Sequence, residues 1–211
     1  MEINYYGHAC FRLKDRDLTV MCDPYDKSIG LTLPRLKADV VTISHDAPGH
    51  SCIDAVKDWR KLFSGPGEYE VEGVFITGIR TLHGKDEKGV VEPNTVFMFE
   101  FSDLTICHLG DLGHVLTESQ VEALSGIDVL LIPVGGRHTL DASMAAEVIS
   151  IIEPKIVVPM HYRLPGTPEH LETIDRFLKE MGVPSPEPVG VLKLTKGQLP
   201  DETQVVVMDV K

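Results

Sequence analysis

Apolar and polar positions alternate in short runs through the first half of the chain, and the runs at 3–6, 10–14, 18–22 and 40–44 predict strands. Charged or Pro/Gly turns such as Lys14-Asp15-Arg16-Asp17 separate them. Residues 53–61 have weak helical character. Ser64-Gly65-Pro66-Gly67 then turns the chain into 68–72 and 74–79, whose alternation suits a hairpin around Gly73. A second hairpin is predicted from 96–101 and 104–108 across Ser102-Asp103. Beyond residue 110 the period lengthens: a helix near 117–124 opens after Thr117 with Glu118 in its first turn, and 141–152 and 168–181 follow as helices. Apolar runs at 129–133 and 156–160 between them read as buried strands. Strands first and alternating strands and helices afterwards predict a mixed α/β fold, two layers of sheet covered by helices. With 211 residues and no linker or repeat, 1–211 reads as one domain.

Charge narrows the partners. Twenty basic against 32 acidic residues leave a net −12, a field that repels phosphate backbones and anionic membranes, so neither nucleic acid nor membrane is expected as a partner. Neither a secretory leader nor an 18-residue apolar span is visible, which predicts a cytoplasmic protein. Cys10, Cys22, Cys52 and Cys107 form no C-x-x-C pair, and buried thiols are the expectation for most of them. The Gly65-Pro66-Gly67 and Gly135-Gly136 pieces lack the context of a P-loop or dinucleotide fingerprint, and no G-x-S-x-G elbow is present.

The histidines carry the chemistry. Six of nine (His8, His45, His50, His83, His108, His161) fall at or just beyond the C-terminal ends of predicted strands, where sites are built. Apolar strands run into His45-Asp46-Ala47-Pro48-Gly49-His50, into His108-Leu109-Gly110-Asp111 and into His161. Imidazoles with a carboxylate suit Zn, Fe or Mn, and such a cation brings water toward a pKa of about 7. The competing reading is a set of loop-capping histidines.

Gly7-His8-Ala9-Cys10-Phe11, Asp23-Pro24, Ser44-His45, His50, Gly110-Asp111, Gly135-Gly136 and Pro159-Met160-His161, in this order over nearly the whole chain, resemble the metallo-β-lactamase superfamily. The compact Zn-dependent hydrolase branch, related to ascorbate-phosphate lactonases, is the part most similar. The resemblance implies an αββα four-layer sandwich, two mixed sheets flanked by helices, with metal at one edge between the sheets. It also implies His45, His50, His83, Asp111 and His161 as metal ligands, with Asp111, His50 and His161 catalytic.

Two positions depart from the family's His-x-His-x-Asp-His signature: Ala47 stands at its second His and Gly49 at its Asp. His45, His83 and Asp111 remain for one metal, and His50, His161 and Asp111 for the other. One ion of Zn, Fe or Mn, or none, is the expectation, since three protein ligands and an open position still make a catalytic count. The Asp missing at 49 also orients water in the family, help worth about 10²–10⁴ in rate. Asp46 is either a substitute carboxylate or a turn cap. His8 is either a substrate contact or a packing residue, and Arg137 with His138 either holds a phosphate or carboxylate or lies idle in a loop. Thr139 or Asp141 is expected to cap the following helix, while His114 and His170 read as surface residues. The functions left are a metal-dependent hydrolase of a small ester, lactone or phosphoester, and a binding or regulatory protein on the same fold. A homo-oligomer is compatible with either.

Overall fold

Fifteen short strands and three helices build the chain in the computed structural model, which describes residues 1–85, 88–167 and 170–211. In chain order the strands are β1 (Glu2–Tyr5), β2 (Phe11–Asp15), β3 (Leu18–Cys22), β4 (Leu36–Lys37), β5 (Val40–Thr42), β6 (Val56–Lys57), β7 (Lys61–Phe63), β8 (Gly67–Val71), β9 (Val74–Leu82), β10 (Pro93–Glu100), β11 (Thr105–His108), β12 (Val129–Pro133), β13 (Ile156–Met160), β14 (Leu192–Lys193) and β15 (Gln204–Val205). The helices are α1 (Glu118–Ala123), α2 (Ala142–Ile152) and α3 (Ile174–Glu180).

One sheet has the order β14-β1-β2-β3-β5-β7 and the other β15-β13-β12-β11-β10-β9-β8, with β4 and β6 forming a separate ribbon. In β2 the pleat alternates buried Phe11 and Leu13 with less buried Arg12 and Lys14, so one face of the first sheet supplies the central core. That face, with Ile3, Tyr5, Val20 and Val40, packs against Phe97, Phe99 and Ile106 of the second sheet. The strands β12 and β13 are buried at every position because the other face of their sheet is also covered. Helix α2 supplies Ala142, Ala145, Val148 and Ile149 to that cover and α3 supplies Phe177 and Leu178. The predicted α/β sandwich of two mixed sheets is the fold observed, with its helices α2 and α3 on the second sheet.

The outer face of the first sheet is covered differently from the expectation. Tyr6, Cys10, Met21, Val41 and Ile43 form a second cluster with Tyr25, Leu36, Ala38 and Val56, so loops and the β4–β6 ribbon do the work of a helix. Residues 53–61, expected to be helical, instead form a 3₁₀ turn at Ile53–Ala55 followed by β6 and β7. The β-branched Val56 pairs with Leu36 and leaves no room for a helical stripe. The helix expected over 168–181 begins at Ile174, after the Thr173 N-cap; Pro168 and Glu169 lie outside the described residues. Asp141 caps α2 by accepting the Met144 N–H at 2.9 Å, while the Thr139 hydroxyl donates to the Gly136 carbonyl.

Strand direction decides where the loops gather. Strand β1 is antiparallel to β2, β2 to β3, and β3 is parallel to β5, so β1, β3 and β5 end on one rim of their sheet. In the other sheet β9 and β11 are each antiparallel to β10, and β11, β12 and β13 are mutually parallel, so these four share a rim as well. All the candidate residues follow C-terminal strand ends on those two rims.

Candidate metal centre

Four imidazoles surround one carboxylate oxygen, and a fifth stands against one of them. Asp111 Oδ2 lies 3.2 Å from His50 Nε2, 3.3 Å from both His83 Nε2 and His161 Nε2, and 3.9 Å from His45 Nε2. His8 Nε2 is 3.1 Å from His50 Nε2. Two triads therefore offer their ligand atoms within 4.8 Å of one another: His45 with His83 and Asp111, and His8 with His50 and His161. The ring edges line a cavity of about 320 Å³ with Arg137, His138 and His170 at its wall.

The rings are held from behind. Asp23, fully buried just past β3, accepts the Ser44 N–H at 2.8 Å on Oδ1, and on Oδ2 the Ser44 hydroxyl at 2.5 Å and His50 Nδ1 at 2.8 Å. The Ser44 proton is thus spent on Asp23, so His45 Nδ1 donates to Ser44 Oγ at 3.0 Å. His83 Nδ1 lies 3.3 Å from the Gly84 carbonyl oxygen. Each of these Nδ1 contacts places a proton at the back of its ring and turns Nε2 to the cavity, where a cation can take its lone pair by displacing any proton held there, the arrangement found behind metal-binding histidines. A carboxylate oxygen has two lone pairs, so Asp111 Oδ2 alone does not satisfy four imidazole nitrogens, and Asp111 Oδ1 and His161 Nδ1 are buried without a partner. Those unsatisfied atoms and inward lone pairs fit a divalent cation.

Asp111 is aimed by its backbone, whose N–H donates to Asn94 Oδ1 at 2.9 Å, while the Asn94 amide donates to Thr81 Oγ1 and the Leu109 carbonyl. Gly110 makes this approach possible: it has φ +57°, and a Cβ there would stand 2.5 Å from both Asn94 Oδ1 and Ser44 Cβ. Left-handed backbone also recurs at His8 (φ 55°), Asp23 (φ 45°) and His161 (φ 53°), strain that clusters where side chains must be aimed.

Electrostatics divides the rings. Burial, followed by the His50 ring, pulls His45 down to about 4. Burial, followed by the His161 and His50 rings, pulls His8 well below the usual imidazole value. Burial opposes charge on His50 too, but the Asp111 and Asp23 carboxylates prevail and raise it to about 10. His83 is raised because its bond to Asp111 outweighs its burial. Burial alone would raise Asp111, yet the His161 and His50 rings hold it well below the ordinary carboxylate range.

The remaining expectations sort plainly. Arg137 and His138 stand in the cavity wall, where His138 Nδ1 donates to the Lys85 carbonyl at 2.7 Å. Asp46 neither joins the ring of ligand atoms nor caps backbone, but is exposed and accepts the Ser51 hydroxyl at 3.0 Å. His108 is structural: it is buried in β11, and its Nε2 donates to the Ala9 carbonyl at 2.8 Å. Cys10, Cys22 and Cys107 are buried thiols, Cys52 is half-buried, and His170 is exposed. His114 is half-buried instead of a surface residue, accepting the Leu82 N–H. Sequence reasoning assigned no role to Asp23, Ser44 or Asn94. A carboxylate at the end of β3, placed as Asp111 is placed beyond β11, was the available signal for Asp23.

Residues 2–161 match the model of the beta-lactamase superfamily domain. The chain belongs to that superfamily. Among superfamily structures, the fold is similar to tm0207 of Thermotoga maritima, described as a candidate Zn-dependent hydrolase, with 41% identity, a TM-score of 0.80 and coverage of 98% of this chain and 97% of that one. Among curated relatives, the UPF0173 metal-dependent hydrolase Ta0764 of Thermoplasma acidophilum is 27% identical over 77% of this chain and 83% of its own length. An isothiocyanate hydrolase from Delia radicum gut bacteria shares the fold at a TM-score of 0.73 and 15% identity, covering 93% of this chain and all of that one.

Proposed function

We propose that this protein is a metal-dependent hydrolase of a small ester, lactone or phosphoester. The observation that carries the reading is the convergence of His45, His50, His83 and His161 on Asp111 Oδ2, with inward Nε2 lone pairs set by Asp23, Ser44 and Gly84. A divalent cation there, Zn or else Fe or Mn, supplies Lewis acidity that brings water toward a pKa of about 7 and offsets charge developing on an acyl or phosphoryl oxygen.

The residues divide the work. Asp111, aimed by Asn94, would hold and neutralise the cation together with His45 and His83, or with His50 and His161. Arg137 and His138 face the same cavity, and a guanidinium beside an imidazole suits a carboxylate or phosphate on the substrate. A volume of about 320 Å³ fits a small molecule. A neighbouring cavity of about 570 Å³ shares His45 and Glu92 and gives room for a leaving group. Gly49 leaves no carboxylate at that position to take the water proton, and Asp46 is turned to Ser51 instead, which slows turnover by about 10²–10⁴.

Elemental analysis of the purified chain, followed by a screen of generic esters, lactones and phosphodiesters with and without chelator, tests the reading. Bound Zn, Fe or Mn with chelator-sensitive turnover is expected. No bound metal and no uptake on incubation would overturn it in favour of a binding or regulatory protein, the alternative that Ala47 and Gly49 favour.

A further inference from the structure

We propose that His8 is a cation ligand: with His50 and His161 it completes a second, three-imidazole site, occupying the space that the side chain missing at residue 49 would fill. The inference rests on reading the pocket as a metal centre and goes beyond it, because it adds a ligand from a different loop and raises the capacity from one cation to two.

The steric observation is direct. A Cβ built on Gly49 would meet His8 Nε2 at 2.6 Å and Cδ2 at 3.1 Å. A side chain at residue 49 would therefore push the His8 ring out of this position, and glycine leaves the ring its room. Gly49 is not among the residues with positive φ, so backbone freedom does not explain it.

The ligand geometry is favourable. His8 Nε2 and His50 Nε2 are 3.1 Å apart, and His50 Nε2 and His161 Nε2 lie 3.2 and 3.3 Å from Asp111 Oδ2. Ligand atoms at 2.0–2.1 Å from a tetrahedral Zn²⁺ are roughly 3.3–3.4 Å apart, close to these three separations, and the three imidazole nitrogens all lie within 4.8 Å of one another. With His50 Nδ1 bonded to Asp23, two Nε2 atoms at 3.1 Å otherwise confront each other across a space that only a proton or a cation relieves.

The loop is built to hold this ring in place. The His8 carbonyl accepts both the Tyr5 hydroxyl at 3.0 Å and the His161 N–H at 2.8 Å, and His108 pins the next residue through the Ala9 carbonyl. His8 holds a left-handed φ of 55°, and its ring centroid is 4.2 Å from that of His161. Exchanging a carboxylate for a neutral imidazole removes one negative charge and adds a nitrogen donor, so Zn²⁺ is preferred over Mn²⁺ at this site.

Zn²⁺ binding to the full chain, measured by chelator competition and by metal content after dialysis, tests the proposal without reference to turnover. The unmodified chain is expected to hold two equivalents. His8→Asn, whose asparagine tolerates left-handed backbone, is expected to keep one and weaken the second at least tenfold. Gly49→Asp alone clashes with His8 and weakens the second equivalent as well. The His8→Gly, Gly49→Asp pair restores it by returning a carboxylate to the vacated space. Two equivalents at unchanged affinity in His8→Asn, or only one in the unmodified chain, would overturn the proposal while leaving a metal centre. No uptake at all would overturn the hydrolase reading beneath it. Long-range ¹H–¹⁵N spectra of the unmodified chain give an answer independent of any variant's folding: His8 Nε2 should shift with His50 and His161 on Zn²⁺ addition, and an unmoved His8 resonance would refute the assignment.

Discussion

Replacing Asp23 by asparagine tests the pocket through a residue that touches no cation. Asp23 receives three donors: the Ser44 N–H on Oδ1, and the Ser44 hydroxyl and His50 Nδ1–H on Oδ2. Asparagine has the same shape and tolerates the φ of 45°, so the backbone is not disturbed. It has only one acceptor oxygen, however. If that oxygen replaces Oδ2, its NH₂ confronts the Ser44 N–H. If the amide is flipped, NH₂ faces His50 Nδ1, the ring moves its proton to Nε2, and the lone pair needed inside the cavity is lost. Either way at least one charge-assisted hydrogen bond disappears, a cost of about 1.5–3 kcal/mol or more in stability. Loss of such an outer carboxylate weakens metal binding by about 10–100-fold. Urea unfolding of the metal-free chains measures the first quantity, and Zn²⁺ competition against a chromophoric chelator measures the second. A variant that binds Zn²⁺ as tightly as the parent would refute the claim that Asp23 sets the His50 tautomer.

Three further outcomes follow from the same geometry. In the cation-free pocket His50 is raised to about 10 and holds both ring protons at pH 8, whereas His8 and His45 are lowered and hold one each. Zn²⁺ uptake at pH 8 should therefore release at least one proton per chain, read with a pH indicator in weak buffer, and the release should fall as pH rises past 10. Free Zn²⁺ at 100 times its Kd should stabilise the fold by about 2.7 kcal/mol, seen calorimetrically as a rise in Tm of roughly 5–11 °C that chelator reverses. Gly110→Ala should cost at least 2 kcal/mol on the order of other core strain, because its Cβ meets Asn94 Oδ1 and Ser44 Cβ at 2.5 Å and its φ is +57°; unchanged urea stability would contradict that crowding.

Much of the architecture is legible in the alternation of residues, because the pleat of β2 and the unbroken apolar runs of β12 and β13 report directly which faces are covered. The failures have a physical source. Residues 53–61 carry a pattern too short to favour one period, and pairing of Val56 with Leu36 decided it through a contact 20 residues away. In the site, the strand-end positions of His45, His50, His83, Asp111 and His161 are visible because chemistry-bearing residues interrupt apolar strands. The placement of His8 is not: it depends on empty space at Gly49, a contact across 41 positions that no local pattern encodes. Asp23, Ser44 and Asn94 act through hydrogen bonds on the far sides of other residues, and their spacing carries no signature of that.

Anomalous diffraction at the zinc edge from crystals of the Zn²⁺-loaded chain tests the central claim most directly. The account predicts a peak about 2.0–2.1 Å from the Nε2 atoms of His45 and His83, or of His50 and His161, and beside Asp111. A folded, Zn²⁺-saturated protein with no peak between those rings, or with its zinc on a cysteine sulfur, would contradict it.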